Sequence, residues 1–219
     1  MTVLVQTPSR TTQSELQHIV LHGVSWKSYE RLLSELDASH LRITFDEGSM
    51  ELMSPSWEHE RHKRLIGRLI ETIGLIGNLP ITSGGSTTLR RKDLLKGLEP
   101  DECFYIENEP RIRRIKQLNL AKVPPPDLVV ERDITHQAID REEIYAALGV
   151  PEIWKFDGRS LVALHLQADR SYQIQSRSRA FPWLQVSDLQ KFIHMRTDPS
   201  TIARRFVQWL EKNMPADQR

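Results

Sequence analysis

A single cysteine, Cys103, leaves the chain no intramolecular disulfide and no cysteine-based zinc site. That is the usage of a reducing compartment, and the residue itself reads as a small buried strand side chain. No run approaches the roughly 18 apolar residues of a membrane span, and the opening MTVLVQTPSRTTQ lacks a basic segment followed by a long apolar one. The expectation is a cytoplasmic protein with no membrane contact. Charge of one sign is also missing. Lys+Arg 30 against Asp+Glu 29 leaves +1, which excludes a constitutive nucleic-acid coat and a binder of polyacidic partners. Any nucleic-acid contact must come from local basic patches. There is no internal repeat, heptad run or low-complexity block.

With 219 residues, 39% of them hydrophobic, the chain has enough for one sizeable core. Residues 1–14, rich in Ser, Thr and Gln, read as a mobile tail before a single domain over 15–219. SWKSYERLLSELD (25–37) spaces Trp26, Tyr29, Leu32, Leu33 and Leu36 as an amphipathic helix behind a Ser25 cap. LRITFDEGSMELMSP (41–55) alternates around Asp46-Glu47-Gly48-Ser49 like a hairpin. SWEHERHKRLIGRLIETIGLIG (56–77) carries Leu65, Ile66, Leu69, Ile70 and Ile73 on one stripe, with Ser56 as cap. Strands are expected near 82–90, 101–106 and 127–132, separated by a basic loop at RRKDLLKG and by a long connection ending in PPP. A helix over 141–149 closes at Gly149, a three-stranded meander follows, and SDLQKFIHM and STIARRFVQWLEK make two C-terminal helices. Trp26, Trp154, Trp183 and Trp209 fall at core spacing rather than as stacking platforms.

Chemistry is concentrated in the acids. LEPDECFYI (98–106) and PPPDLVVERD (124–133) each place Pro-Asp before an apolar run, and proline suits the first residue of a strand because it has no N–H for the ladder. Alternation puts Asp101 with Cys103 and Tyr105, and Asp127 with Val129, Glu131 and Asp133. Asp127 lies roughly 13 Å from Glu131 along an extended strand, too far to share an ion. If the two strands pair antiparallel, Asp101 comes beside Glu131 and Asp133. Carboxylates so placed repel one another unless a cation separates them, and a hard divalent ion such as Mg²⁺ fits one or two carboxylates plus water and phosphate oxygens. Stepping the core stripe of helix 56–77 back from Leu65, Ile66 and Leu69 reaches His62, His59 and Glu58. These are either site residues or an exposed helix start.

The ordered series LHGVSWKSYERLL, SPSWEHE, GSTTLRRKDLLKGLEPDECFYI, PPPDLVVERD and YAALGVPEIWKFDG resembles the Uma-two family of restriction-endonuclease-type proteins, abundant in cyanobacteria, within the PD-(D/E)xK nuclease superfamily. The resemblance implies an α/β restriction-endonuclease-like core, a central mixed β-sheet flanked by helices, with C-terminal helices outside it. It implies a Mg²⁺- or Mn²⁺-dependent DNA endonuclease whose metal is held by Asp101, Glu131, the Arg132 main-chain carbonyl and Asp133. Glu58 or His59 would complete or orient the site. The lysine of the family pattern is absent: position 133 is Asp133, and the family's alternative position on the next helix is Arg141. Arginine stays protonated and can only stabilise charge. The alternative is therefore a nuclease-fold protein that binds DNA or a partner without cutting. Lys155 is a spare candidate. Arg90, Arg91, Lys92 and Lys96, and further along Arg111, Arg113, Arg114 and Lys116, either touch DNA phosphates or are merely solvated. A homodimer is expected if both strands of a duplex are cut.

Overall fold

The computed structural model describes residues 18–36, 41–132 and 138–218. The expected tail at 1–14 and Asp133 lie outside them. The described chain opens with β1 (His18–Leu21), α1 (Trp26–Glu35), the hairpin β2 (Arg42–Asp46) and β3 (Ser49–Met53), and the long helix α2 (Trp57–Ile76). Next come β4 (Thr82–Gly85), β5 (Leu89–Arg91), β6 (Lys96–Leu98), β7 (Glu102–Tyr105), the single turn α3 (Glu109–Ile112) and β8 (Leu128–Arg132). The helix α4 (Arg141–Leu148), the meander β9 (Glu152–Phe156), β10 (Leu161–Leu166) and β11 (Tyr172–Gln175), then α5 (Gln190–Ile193) and α6 (Pro199–Asn213) follow.

Local chemistry sets the helix ends. Ser25 accepts the Ser28 N–H, Ser56 that of His59, and Asp140 those of Glu142 and Glu143, each supplying an acceptor to an orphan amide of the first turn. Gly149 takes φ +80° to end α4, a left-handed geometry in which glycine has no Cβ to clash.

Two sheets form where one was expected. Six strands in the order β11-β10-β9-β8-β7-β4 make the central mixed sheet, in which β8 and β9 are parallel, joined through α4, and the other neighbours antiparallel. The second sheet, β1-β3-β2-β6-β5, is antiparallel throughout. The expected strand 82–90 is divided between them: β4 belongs to the first and β5 to the second. Likewise RRKDLLKG is not a basic loop but the β5–β6 hairpin, whose buried Leu89 and Leu98 are masked in sequence by the charges between them.

One face of the central sheet packs Phe104, Leu128, Val130, Trp154 and Phe156 against α2 and α6. On α2, Ile66, Leu69, Ile70 and Ile73 are all buried, together about 6–12 kcal/mol relative to exposure. That is ample to anchor a helix whose first turns are polar. The opposite face sets Cys103, Val129 and Ile153 against Ile144, Tyr145 and Leu148 of α4 and against Leu89 and Leu98 of the second sheet. The second sheet has its own core with α1, where Trp26, Tyr29 and Phe45 meet ring to ring.

β4 bulges between Ser83 and Gly85, and a Cβ on Gly84 would stand 2.6 Å from the Cys103 sulfur. Burial, helped by the Glu102 charge, pushes the Cys103 thiol up to about 12. Alkylation by iodoacetamide at pH 8 is therefore expected to be negligible in the folded protein and complete in denaturant, as read by intact mass.

Candidate active site

The β7–β8 ladder pairs Glu102 with Val130 and Cys103 with Val129, so Asp101 at the start of one strand comes opposite Glu131 near the end of the other. Cross-strand neighbours share a face. Both acids are buried, at 2% and 7% exposure. Asp127, by contrast, closes a turn: its carboxylate accepts the N–H groups of Ile106 and Asn108 and the Asn108 side-chain amide.

Each acid is held differently. His59 Nε2 lies 2.6 Å from Asp101 Oδ1, and the Arg132 N–H donates to Oδ2 at 2.7 Å. Burial raises the Asp101 carboxyl, but His59, the Arg132 amide and the Arg141 charge outweigh it, and the group sits below its ordinary value. Glu131 moves the other way, raised first by burial and then by Asp101, with Arg141 opposing. Its Oε1 accepts from Arg141 Nη2 at 2.6 Å and from the Tyr145 hydroxyl.

Arg141 is itself buried and forks between the sheets, donating to Thr44 Oγ1 at 2.7 Å and the Glu99 carbonyl at 2.8 Å. Of the two helix candidates, His59 reaches the acids. Glu58 is turned outward and meets the Arg132 guanidinium at 3.4 Å. The Arg132 carbonyl leaves an extended strand on the same side as its N–H, the side of Asp101.

Lys155 comes from β9, in parallel register with Glu131. With Glu131, Arg141 and Tyr145 it lines a cavity of about 50 Å³, and its ammonium meets Glu142 at 2.9 Å. Sequence alternation makes Lys155 no more than a spare candidate, and it singles out neither Tyr145 nor Thr44. Tyr145 is accessible to reasoning, since it lies one turn after Arg141 on the same helix face. Thr44, ninety-seven residues from its partner, is not.

The basic groups scatter. Lys96 is a correction: its ammonium is turned inward onto Asp46, with Glu47 at 3.5 Å, and is not offered to a phosphate. Arg90 faces Glu30 at 3.7 Å, Arg91 is held by Asp93 through two hydrogen bonds, and Lys92 is exposed. Arg113 pairs with Glu109, while Arg111, Arg114 and Lys116 are exposed.

Among the described residues, no three His, Cys, Asp or Glu side chains converge on a point a metal ion could occupy. The donors are a pair. Glu131 Oε2 has no hydrogen-bond donor among the described residues, and Glu131 lines a cavity that exceeds the roughly 10–15 Å³ that one water needs. Glu131 beside a water-sized cavity, with Asp101 as its cross-strand neighbour, fits magnesium, which takes one or two carboxylates and keeps several waters.

Compared with known proteins, residues 26–213 match the family model Uma2, described as putative restriction endonuclease. Among solved structures, the chain is similar to a protein described as a putative nuclease belonging to DUF820 from Anabaena variabilis, at 13% identity and a TM-score of 0.46, covering 77% of this chain and 90% of that one. No curated protein matches it. Among the described residues, no helix is long and apolar enough to cross a membrane.

Proposed function

The chain belongs to the Uma2 family of putative restriction endonucleases, and from that membership we propose that it is a metal-assisted DNA endonuclease acting at Asp101 and Glu131. The observation that carries the reading is the cross-strand placement of these two buried acids, with shifts of opposite sign. Asp101 and the Glu131 Oε2 oxygen would hold Mg²⁺ or Mn²⁺, which when bound supplies a more acidic water and a counter-charge for the scissile phosphate. The chain's own groups do the rest. His59 and the Arg132 amide fix the Asp101 carboxylate in place. Tyr145 and Arg141 pin one Glu131 oxygen and leave the other without a donor among the described residues. Arg141 provides a permanent cation for charge that develops on the phosphoryl oxygens, and Lys155 adds a second beside it. Hydrolysis of both strands of a duplex would call for two copies of the chain.

A second reading, a nuclease-fold protein that binds without cutting, is favoured by one observation. The Arg141 guanidinium already satisfies Glu131, and the adjoining cavity is far smaller than the roughly 300 Å³ of an ordinary ligand site.

Nicking of supercoiled plasmid in Mg²⁺ or Mn²⁺ decides between them. The endonuclease reading expects metal-dependent nicking by the native chain and a fall of about a thousandfold or more in Glu131→Ala, the order seen when a group stabilising a transition state is lost. Native silence with activity emerging in Arg141→Lys would mark a site disabled at that residue. Silence in all three would favour the binding reading.

A further inference from the structure

The first turns of α2 border a second cavity, which shares no wall residue with the one Glu131 lines. It has a volume of about 510 Å³, and its walls include Glu58, Arg61 and His62 of α2, Gly158 of the β9–β10 turn, and His194 and Arg196 beyond α5. Its charge is one-sided. Glu58, the acid in the wall, is engaged by Arg132, and among the described residues no carboxylate lies within ion-pair distance of Arg61 or Arg196. His62 is 7% exposed, and its Nδ1 is buried without a hydrogen-bond partner. A polar atom left so is the exception in a folded chain.

Trp57, the first residue of α2, is 84% exposed, the most exposed large apolar side chain among the described residues. It precedes Arg61 by four positions, so the two lie on one helix face with Cβ atoms about 5–6 Å apart. No core contact accounts for an indole in this position.

We propose that this groove receives one unstacked nucleotide of a nucleic-acid strand, with its phosphate between Arg61 and Arg196 and its base against Trp57. Guanidinium groups match phosphate oxygens in pairs, and an indole face stacks any base, so the site recognises a strand without reading its sequence. His59, which holds Asp101, lies one turn back along α2 from His62, so the groove and the acid pair are served by neighbouring turns of one helix. The inference takes its substrate class from the endonuclease reading above, but its test does not use cleavage.

The experiment is fluorescence anisotropy of a labelled single-stranded oligonucleotide with the full chain in EDTA. Trp57→Ala and the double variant Arg61→Ala/Arg196→Ala are each expected to weaken binding tenfold or more. Trp57→Phe should stay within a few-fold of native, and the exposed Lys27→Ala, on α1, within twofold. The double variant should also lower the slope of log affinity against log salt by about 0.7 for each strand phosphate it no longer neutralises. Native affinity in the double variant, an equal loss in Lys27→Ala, or binding to anionic vesicles in place of the oligonucleotide would overturn the proposal. Binding that depends on Trp57 without any plasmid nicking would leave the groove standing and remove the endonuclease reading. Nicking with binding indifferent to all these residues would do the reverse.

Discussion

Arg141→Ala is expected to lower the unfolding free energy by about 3–5 kcal/mol, the range for breaking a buried ion pair from one side. The guanidinium is buried and donates to Thr44, the Glu99 carbonyl, Glu131 and, at 3.4 Å, the Tyr145 hydroxyl. Truncation would leave Glu131 ionised beside Asp101 with, among the described residues, the Tyr145 hydroxyl as its one donor, or force it to take a proton. Lysine at 141 keeps the charge but not the fork, so Arg141→Lys should fall between the two, losing the bonds to Thr44 and Glu99 before the one to Glu131. Urea unfolding measures each loss. Glu131→Leu/Arg141→Met should recover most of the stability, because an apolar pair of similar volume replaces a charged one at little cost. A loss under about 1 kcal/mol in Arg141→Ala would mean that the cation is not balancing Glu131 and that the acid pair is stabilised in some other way.

Glu152→Ala should be as damaging for a different reason. Glu152 is fully buried at 0% exposure, and its two oxygens accept from the Trp154 indole at 2.8 Å, the Ser178 hydroxyl at 3.1 Å, and the Arg179 and Ala180 N–H groups at 3.0 and 2.8 Å. Each buried donor left without an acceptor costs about 1–3 kcal/mol, partly recovered where water enters, so a net loss of about 3–5 kcal/mol is expected. For a chain of this size that is a drop in Tm of roughly 10 °C, measurable by calorimetry. The loosened segment, about residues 178–181, should become the first site of limited proteolysis. A Tm within a few degrees of native would show that the turn holds itself without the carboxylate.

The acid pair is legible before the fold because it follows from local facts. Proline marks where β7 and β8 begin, alternation assigns the faces, and antiparallel pairing makes one strand's start the other's end. The helix α2 is legible for similar reasons, down to its Ser56 cap. What α2 presents to Asp101 is only half legible: the stripe from Ile73 back to Ile66 leads to His62 and His59, but whether His59 or Glu58 turns inward depends on how the helix rolls against the sheet. The β5–β6 hairpin is hidden because three-residue strands carry no period and Lys96 points inward to a partner fifty residues earlier. Trp57 is hidden because spacing does not say which way a residue at a helix start points, and only the packing of α2 shows that it faces water.

Between β6, in one sheet, and β7, in the other, there are only three residues: Glu99, Pro100 and Asp101. The Glu99 side chain is tied to Ile43 on β2 and to Thr88 beside β5, its carbonyl is tied to Arg141, and the ring of Pro100 stiffens the step. Asp101 is thus the last residue of a short bridge between the two sheets, while Glu131 belongs wholly to one of them. Sliding of one sheet across the other cannot be absorbed in slack chain and passes directly into the separation of the two carboxylates. The spacing of the acids is a measure of how the sheets are docked, and a substitution far from both, in the interface the sheets share, can retune it.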